Sequence, residues 1–192
     1  IITGGSAFNI KSKSLRLWNF TKDEVHKLLN LHTEATGQKF EDGTIDLMMQ
    51  FTGGQPWLVN ALAYEVTFEM KTNRDRSITI TKKHLAEAKE NLILRRDTHL
   101  DQLIDKLQEK RVNRVISPIL CGTNVEMKIK EDDVQYVADL GLIKVARNGE
   151  VDIANEIYRE IIPRELTWTI QVGIYQETKW YVNDEGKLNM IA

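Results

Sequence analysis

From Pro56 to about residue 71 the chain carries Trp57, Leu58, Val59, Leu62, Tyr64, Val66 and Phe68 around most of a helical circumference, and nothing else in the sequence constrains the fold as strongly. A helix that is apolar on nearly every side has to be buried, so other elements must surround it. Pro56 suits the first turn, because it lacks the N–H that would have no partner there. The flanking sequence supplies neighbours of the same kind. Thr21 and Glu24 form a capping box, and Phe20 is placed to staple onto Val25. Val25, Leu28 and Leu29 mark one face of that helix, and Gly37 stops it near residue 36. A second helix is predicted over residues 43–52, with Ile45, Met48 and Met49 inward and Gly53 as the stop. Residues 71–77 are polar and read as an exposed loop. Thr81 then caps a helix to about residue 96, with Leu85, Leu92 and Ile93 inward. Residues 15–96 thus read as a small helical bundle.

The second half changes character. Thr98 begins a helix with Asp101 at the capping-box position, and Leu100, Leu103, Ile104 and Leu107 form its apolar side. Residues 112–121 form a second helix, with Pro118 as a kink and Gly122 at its end. Residues 131–140 form a short third, stopped by Gly141. Two strands follow, residues 142–147 and 150–153, joined by Asn148-Gly149, a strong two-residue hairpin signal. A last helix, 155–162, is expected to close before Pro163. Three helices, a hairpin and a helix in that order predict a winged helix-turn-helix over residues 98–166. The fold class is therefore mainly α, a helical bundle followed by a winged helix with a β-hairpin wing. Residues 167–192, with Trp168, Tyr175, Trp180 and Tyr181, read as a connector or the start of a further domain. Ile1-Ile2 followed by Thr3-Gly4-Gly5, with no methionine before Met48, reads as the end of a strand in a larger protein.

Composition narrows the function by exclusion. A net charge of −2 offers no global attraction to nucleic acid or an anionic membrane. No apolar run approaches the roughly 20 residues of a membrane span, and no signal peptide is visible, so a cytoplasmic location is expected. Cys121 is alone, which excludes an internal disulfide and a cysteine-based metal site. His26, His32, His84 and His99 lie on different elements without the i, i+4 pairing of a helical metal site, so no metal ligands are assigned.

Catalytic signatures are missing as well. Nucleotide hydrolysis needs a glycine-rich loop ending in Gly-Lys-Ser/Thr. Gly4-Gly5-Ser6 has no lysine, and Gly186-Lys187 is followed by Leu188. There is no Gly-x-Ser-x-Gly elbow. Glu126-x-Lys128 resembles half of a nuclease motif, but no strand-borne aspartate precedes it suitably. No catalytic residue is assigned. In a winged helix the second helix of the turn normally enters the DNA major groove. Here that helix contains Glu131, Asp132, Asp133 and Asp139 and no base, which phosphate would repel. The basic residues Arg95, Arg96, Lys106, Lys110, Arg111 and Arg114 are interleaved with Asp97, Asp101, Asp105 and Glu109. The most suggestive local motif is Thr52-Gly53-Gly54-Gln55-Pro56-Trp57. It reads either as a helix N-terminus facing an anion or nucleotide, or as a tight turn between packed helices that needs no ligand.

Several of these pieces occur in one order: Ser6-Ala7-Phe8-Asn9-Ile10, residues 17–20 before the capping box, Gly53-Gly54-Gln55-Pro56-Trp57-Leu58-Val59-Asn60, Leu94-Arg95-Arg96-Asp97-Thr98-His99-Leu100-Asp101, and residues 133–142. Together they resemble the C-terminal half of the AAA-like, STAND-type ATP-binding proteins of bacteria and archaea, over residues 1–166. The resemblance implies that residues 1–14 end a nucleotide-binding core, residues 15–96 are its helical lid and residues 98–166 its winged helix. It implies that Gly54, Gln55 and Pro56 approach the adenine side of a bound nucleotide, and that Arg95 and Arg96 act as phosphate-sensing or interdomain residues. ATP and magnesium are expected only together with the core, whose two Walker motifs these residues lack.

The leading expectation is therefore the regulatory lid and winged-helix portion of an ATP-dependent switch protein that packs on its own nucleotide-binding core, with no catalysis by these residues alone. Whether the parent hydrolyses ATP stays open. Two alternatives also stay open: a winged-helix DNA-binding regulator using the wing and residues 106–114, disfavoured by the acidic helix, and a protein-interaction module that docks the acidic helix 131–140 on a basic partner.

Overall fold

The computed structural model describes residues 18–95, 103, 105–122 and 129–177, with side chains as far as residue 166. Ile1 to Leu17, Arg96, Thr98, Glu126, Lys128, Trp180 and Tyr181 lie outside the described residues. Among the described residues the chain is mainly helical, with one two-stranded antiparallel sheet.

The first half holds α1 (Lys22–Thr36), α2 (Thr44–Thr52), α3 (Pro56–Tyr64) and α4 (Lys82–Arg95). Local signals set their ends. Thr21 and Glu24 form the reciprocal capping box of α1, and Gly37 closes it at φ 76°. Gly53 closes α2 at φ 59°. Thr81 starts α4 with a box of its own: its hydroxyl accepts from the His84 N–H while its N–H donates to His84 Nδ1. A parallel bridge between Phe40 and Ile80 ties the approach to α2 to the approach to α4.

The centre of this half differs from the expectation. Leu58, Val59 and Leu62 of α3 are fully buried, but Tyr64 and Phe68 are 53% and 46% exposed. The helix ends at Tyr64 and passes into a π turn, Glu65–Glu69, instead of running to residue 71. The wider turn changes the phase of the side chains. Glu65, Val66 and Thr67 go inward, and Phe68 is left stacked on Tyr64 with ring centroids 5.5 Å apart. It is α2 that touches most of its neighbours, packing on α1, α3, α4 and the last helix. The supposed loop 71–77 begins with a 3₁₀ turn, Lys71–Arg74, and Asn73 in it is fully buried. Asn73 donates to the Val66 carbonyl, and Gln38 donates to the carbonyls of Asn73 and Ile78, so the segment is sewn to the bundle.

The second half comprises α5 (Lys110–Leu120), α6 (Glu131–Asp139), β1 (Ile143–Val145), β2 (Val151–Ile153) and α7 (Glu156–Glu177). Leu107, Val112, Val115, Ile116, Val137, Ile153, Ile157 and Ile162 are buried there. The strands pair with Lys144 opposite Asp152. The turn between them holds three residues, not two. Ala146 N–H donates to Glu150 O and Gly149 N–H to Ala146 O, with Gly149 at φ 86°. That is the pattern of a type I turn closed by a glycine bulge.

Pro163 does not end the last helix, as its lack of an N–H suggested; α7 runs through it to Glu177, beyond residue 166. Ile161 and Ile162 before the proline and Glu165 after it are buried. Packing on both sides holds the helix together across the lost hydrogen bond, a break that costs about 3 kcal/mol where nothing offsets it.

Candidate functional site at the turn between α2 and α3

The Gly53-Gly54-Gln55-Pro56 turn is where three parts of the chain meet. The segment entering α1 lies on one side of it: Phe20 N–H donates to the Gly54 carbonyl at 2.7 Å and Asn19 Nδ2 to the Gly53 carbonyl at 3.0 Å. The second half lies on another. A Cβ added to Gly53 would stand 2.9 Å from the Ala154 carbonyl and 3.3 Å from Asn155 Cβ.

Gly54 is the tighter of the two glycines. It sits at φ 73°, and a Cβ there would meet the Phe20 carbonyl oxygen at 2.1 Å. Thr52, which opens the motif but is given no role by the sequence, holds the turn from inside. Its hydroxyl donates to the Met48 carbonyl at 2.7 Å and accepts the Gly54 N–H at 3.1 Å. The Gln55 N–H donates to the Thr52 carbonyl, and the Gln55 side-chain oxygen accepts the Leu58 N–H at 2.6 Å. The Gln55 side chain is thus the N-cap of α3, and the Gly54, Gln55 and Leu58 amides are turned to the protein's own acceptors. Pro56 and Trp57 beside them are half-buried.

Arg95 sits elsewhere. Its guanidinium is 2.6 Å from the Glu65 carboxylate, whose other oxygen accepts from Asn91 Nδ2 at 3.1 Å. The Glu65 side chain is only 5% exposed. Glu65 follows the last residue of α3, whereas Gly54 precedes its first. At about 1.5 Å per residue the two candidate groups are separated by about 14 Å along that helix. The structure does not bring them together.

The junction with α7 is the region that sequence reasoning missed. Lys89 of α4 reaches Glu160 at 2.8 Å and Glu156 at 3.8 Å, and lies 5.1 Å from the centroid of the Phe51 ring. Gln50 Nε2 donates to Glu156 at 2.9 Å. Burial works against the charged amine, but hydrogen bonds to Glu160 and Glu90 outweigh it and raise the Lys89 pKa. Asn155 caps the start of α7 by accepting the Tyr158 N–H, and its side-chain nitrogen is buried without a hydrogen-bond partner. Helix-start signals at residue 155 were legible, but no local pattern linked residues 50, 89 and 160.

The charged faces of the second half are largely paired with each other. Arg111 and Arg114 of α5 converge on Asp133 of α6 at 3.4 and 3.2 Å, and of the two contacts the one from Arg114 is a hydrogen bond. Arg111 also lies 3.6 Å over the Tyr136 ring, whose hydroxyl donates to Glu109. Hydrogen bonds from Lys106 and Tyr136 hold the Glu109 carboxyl below its ordinary pKa. Glu131 and Asp132 remain exposed. Among the described residues no group of three or more His, Cys, Asp or Glu is placed to hold a metal ion, and no helix is long and apolar enough to cross a membrane.

Fold and site together define a mainly helical chain in which a single glycine turn joins an entering segment, a helical bundle and a helix–hairpin–helix unit. No family model matches the chain, and no curated protein matches it. Among solved structures it is similar to a point variant of Thermotoga maritima RuvB, at 13% identity and a TM-score of 0.41, over 76% of this chain and 50% of that one. A likeness of that size carries neither fold nor function across.

Proposed function

We propose that the chain is the lid and winged-helix portion of an ATP-binding, AAA-like switch protein of the STAND type, with residues 15–96 as the lid, residues 98–166 as the winged helix and residues 167–192 as a connector. The observation that carries this reading is the three-way joint. Residues 18–20, which follow the expected end of the core, bind the Gly53-Gly54 carbonyls, while Ala154 and Asn155 abut Gly53 from the other side. A nucleotide that moves this turn moves the entry and the second half with it, which is what a population shift between packed states requires.

The turn's own polar groups also say which part of a nucleotide it suits. The Gly54, Gln55 and Leu58 amides are committed to Thr52 and Gln55, so phosphate has little to gain from them. Pro56 and Trp57 offer apolar surface suited to a planar base. ATP and magnesium belong with the core, and phosphate chemistry with residues outside this chain.

Calorimetry with ATP and magnesium on the 192-residue chain should give no measurable binding; tight binding would overturn the division of labour. In the protein that carries the core, Pro56→Ala should weaken the nucleotide response, and unchanged affinity and turnover would remove the turn from the site. A second reading, a docking surface for a basic protein partner, is favoured by the exposed Glu131 and Asp132 at the start of α6. Reversing both charges should abolish such a contact, and a partner still bound would exclude that reading.

A further inference from the structure

We infer that the start of α7 is a releasable charge latch, in which Lys89 of α4, held by Glu156 and Glu160, decides whether the two halves of the chain move as one body or as two. This goes beyond the proposed function and does not depend on any nucleotide.

Polar contacts between the halves converge on a few residues. Gln50 and Lys89 both reach the first turns of α7, and Gly53 lies against Ala154 just before it. The Lys89 side chain is 11% exposed, with Glu90 of its own helix also within 3.3 Å. Three carboxylates, Glu90, Glu156 and Glu160, are thus gathered around Lys89 and Arg164, which reaches Glu160 at 2.5 Å. The cluster carries an excess of negative charge even when closed. Lys89 is the cation that stands between the carboxylates of α4 and those of α7. Without it, Glu90, Glu156 and Glu160 keep only Arg164 as a counter-charge, on Glu160, and the attraction between α4 and α7 is lost.

A poorly exposed ion pair adds little net stability against an apolar contact of the same size, yet removing one partner is strongly destabilising. Such a contact sets a position better than it strengthens a fold. Fully buried apolar side chains lie deep in each half, Leu58, Leu62 and Leu85 in one and Val112, Val115 and Ile116 in the other, and belong to one continuous core. Opening the latch loosens the packing of α2 and α4 on α7 and leaves these deeper residues in place, a sub-global opening.

The test uses Lys89→Met, which keeps the stem without the charge, Glu160→Gln and the double variant, each in the 192-residue chain. Amide hydrogen exchange would be read residue by residue and the radius of gyration by small-angle scattering. In Lys89→Met, exchange at residues 50–54 and 154–160 should rise about tenfold or more while α1, α3 and α5 keep their protection, and the radius of gyration should grow. Glu160→Gln should show the same pattern to a smaller degree, and the double variant should be no looser than Lys89→Met, because the two residues act through one contact. Unchanged exchange at the junction, strictly additive effects, or uniform loss of protection through both halves would each overturn the latch. The last would show that the chain opens only as a single unit.

Discussion

Gly53 and Gly54 are neighbours with different duties. Gly53 is a helix stop like Gly37, whereas Gly54 is where the entering segment touches the bundle backbone to backbone. Alanine at Gly54 combines a left-handed φ with a clash against the Phe20 carbonyl and should cost on the order of 2–3 kcal/mol. Alanine at Gly37, where φ is similar but no atom lies within 4 Å of the added Cβ, should cost about 1 kcal/mol. Urea unfolding of the two variants checks this, and equal losses would mean that the approach of Phe20 contributes nothing. The pair was legible as a turn because glycine is permissive at any left-handed position. Which glycine carried the close approach was not, since Phe20 is 34 residues from Gly54. Gln55 shows the same limit: the sequence leaves its turn open between a ligand contact and a tight turn that needs none, and the 2.6 Å bond from Leu58 makes it the cap of α3.

At the scale of elements, α3 and the β1–β2 hairpin show how local signals are completed by packing. Leu58 and Phe68 belong to one continuous apolar pattern, yet the π turn buries the first and turns the second outward. Leu58→Ala should therefore destabilise by about 2–5 kcal/mol. Phe68→Ala, which loses a stacked ring and the Arg76 guanidinium 4.8 Å above it, should cost about 1 kcal/mol. Denaturation curves that ranked them the other way would contradict the observed phase. The hairpin rests on Asp152, which Arg159 of α7 holds at 2.6 Å and Lys144 of β1 approaches at 3.7 Å. Burial works against the Asp152 carboxylate, but hydrogen bonds from Arg159 and the Ile153 N–H outweigh it and lower its pKa. A lowered carboxylate contributes stability that is present above its unfolded value, about 3.9, and is lost as pH falls through the folded value. Protection of the β1–β2 amides should accordingly fall below about pH 4, and Asp152→Asn should remove that dependence. The hairpin itself was legible from Asn148-Gly149. Its three-residue turn was not, because loop length follows from the strand register.

Across the whole molecule, one apolar core runs through both halves, and a set of polar contacts lies where they join. Buried leucines, isoleucines and valines fill each half, while Lys89, Gln50, Glu156 and Glu160 mark the junction. Charged contacts of this kind fix a position more than they strengthen a fold. In the unmodified chain, urea unfolding followed at the Leu58 and Ile162 methyl groups should give one shared midpoint. Lys89→Met should separate the two, and midpoints that stay together would show that the junction does not depend on the lysine.

The sequence by itself determined the starts and stops: the capping box at Thr21, the glycine closures at Gly37 and Gly53, the cap at Thr81, the hairpin and the mainly helical class. Each of these depends on residues within about one helical turn of one another, so it can be read along the chain. Tertiary structure alone decided the rest. It carried α7 through Pro163 because buried side chains flank the proline, and it opened the helix after Tyr64 into a π turn. It also gave Gln55 to its own helix. The Lys89–Glu160 contact spans 71 residues and the Gln50–Glu156 contact 106. No local periodicity can encode partners that far apart, because only the packed fold brings their charges within reach.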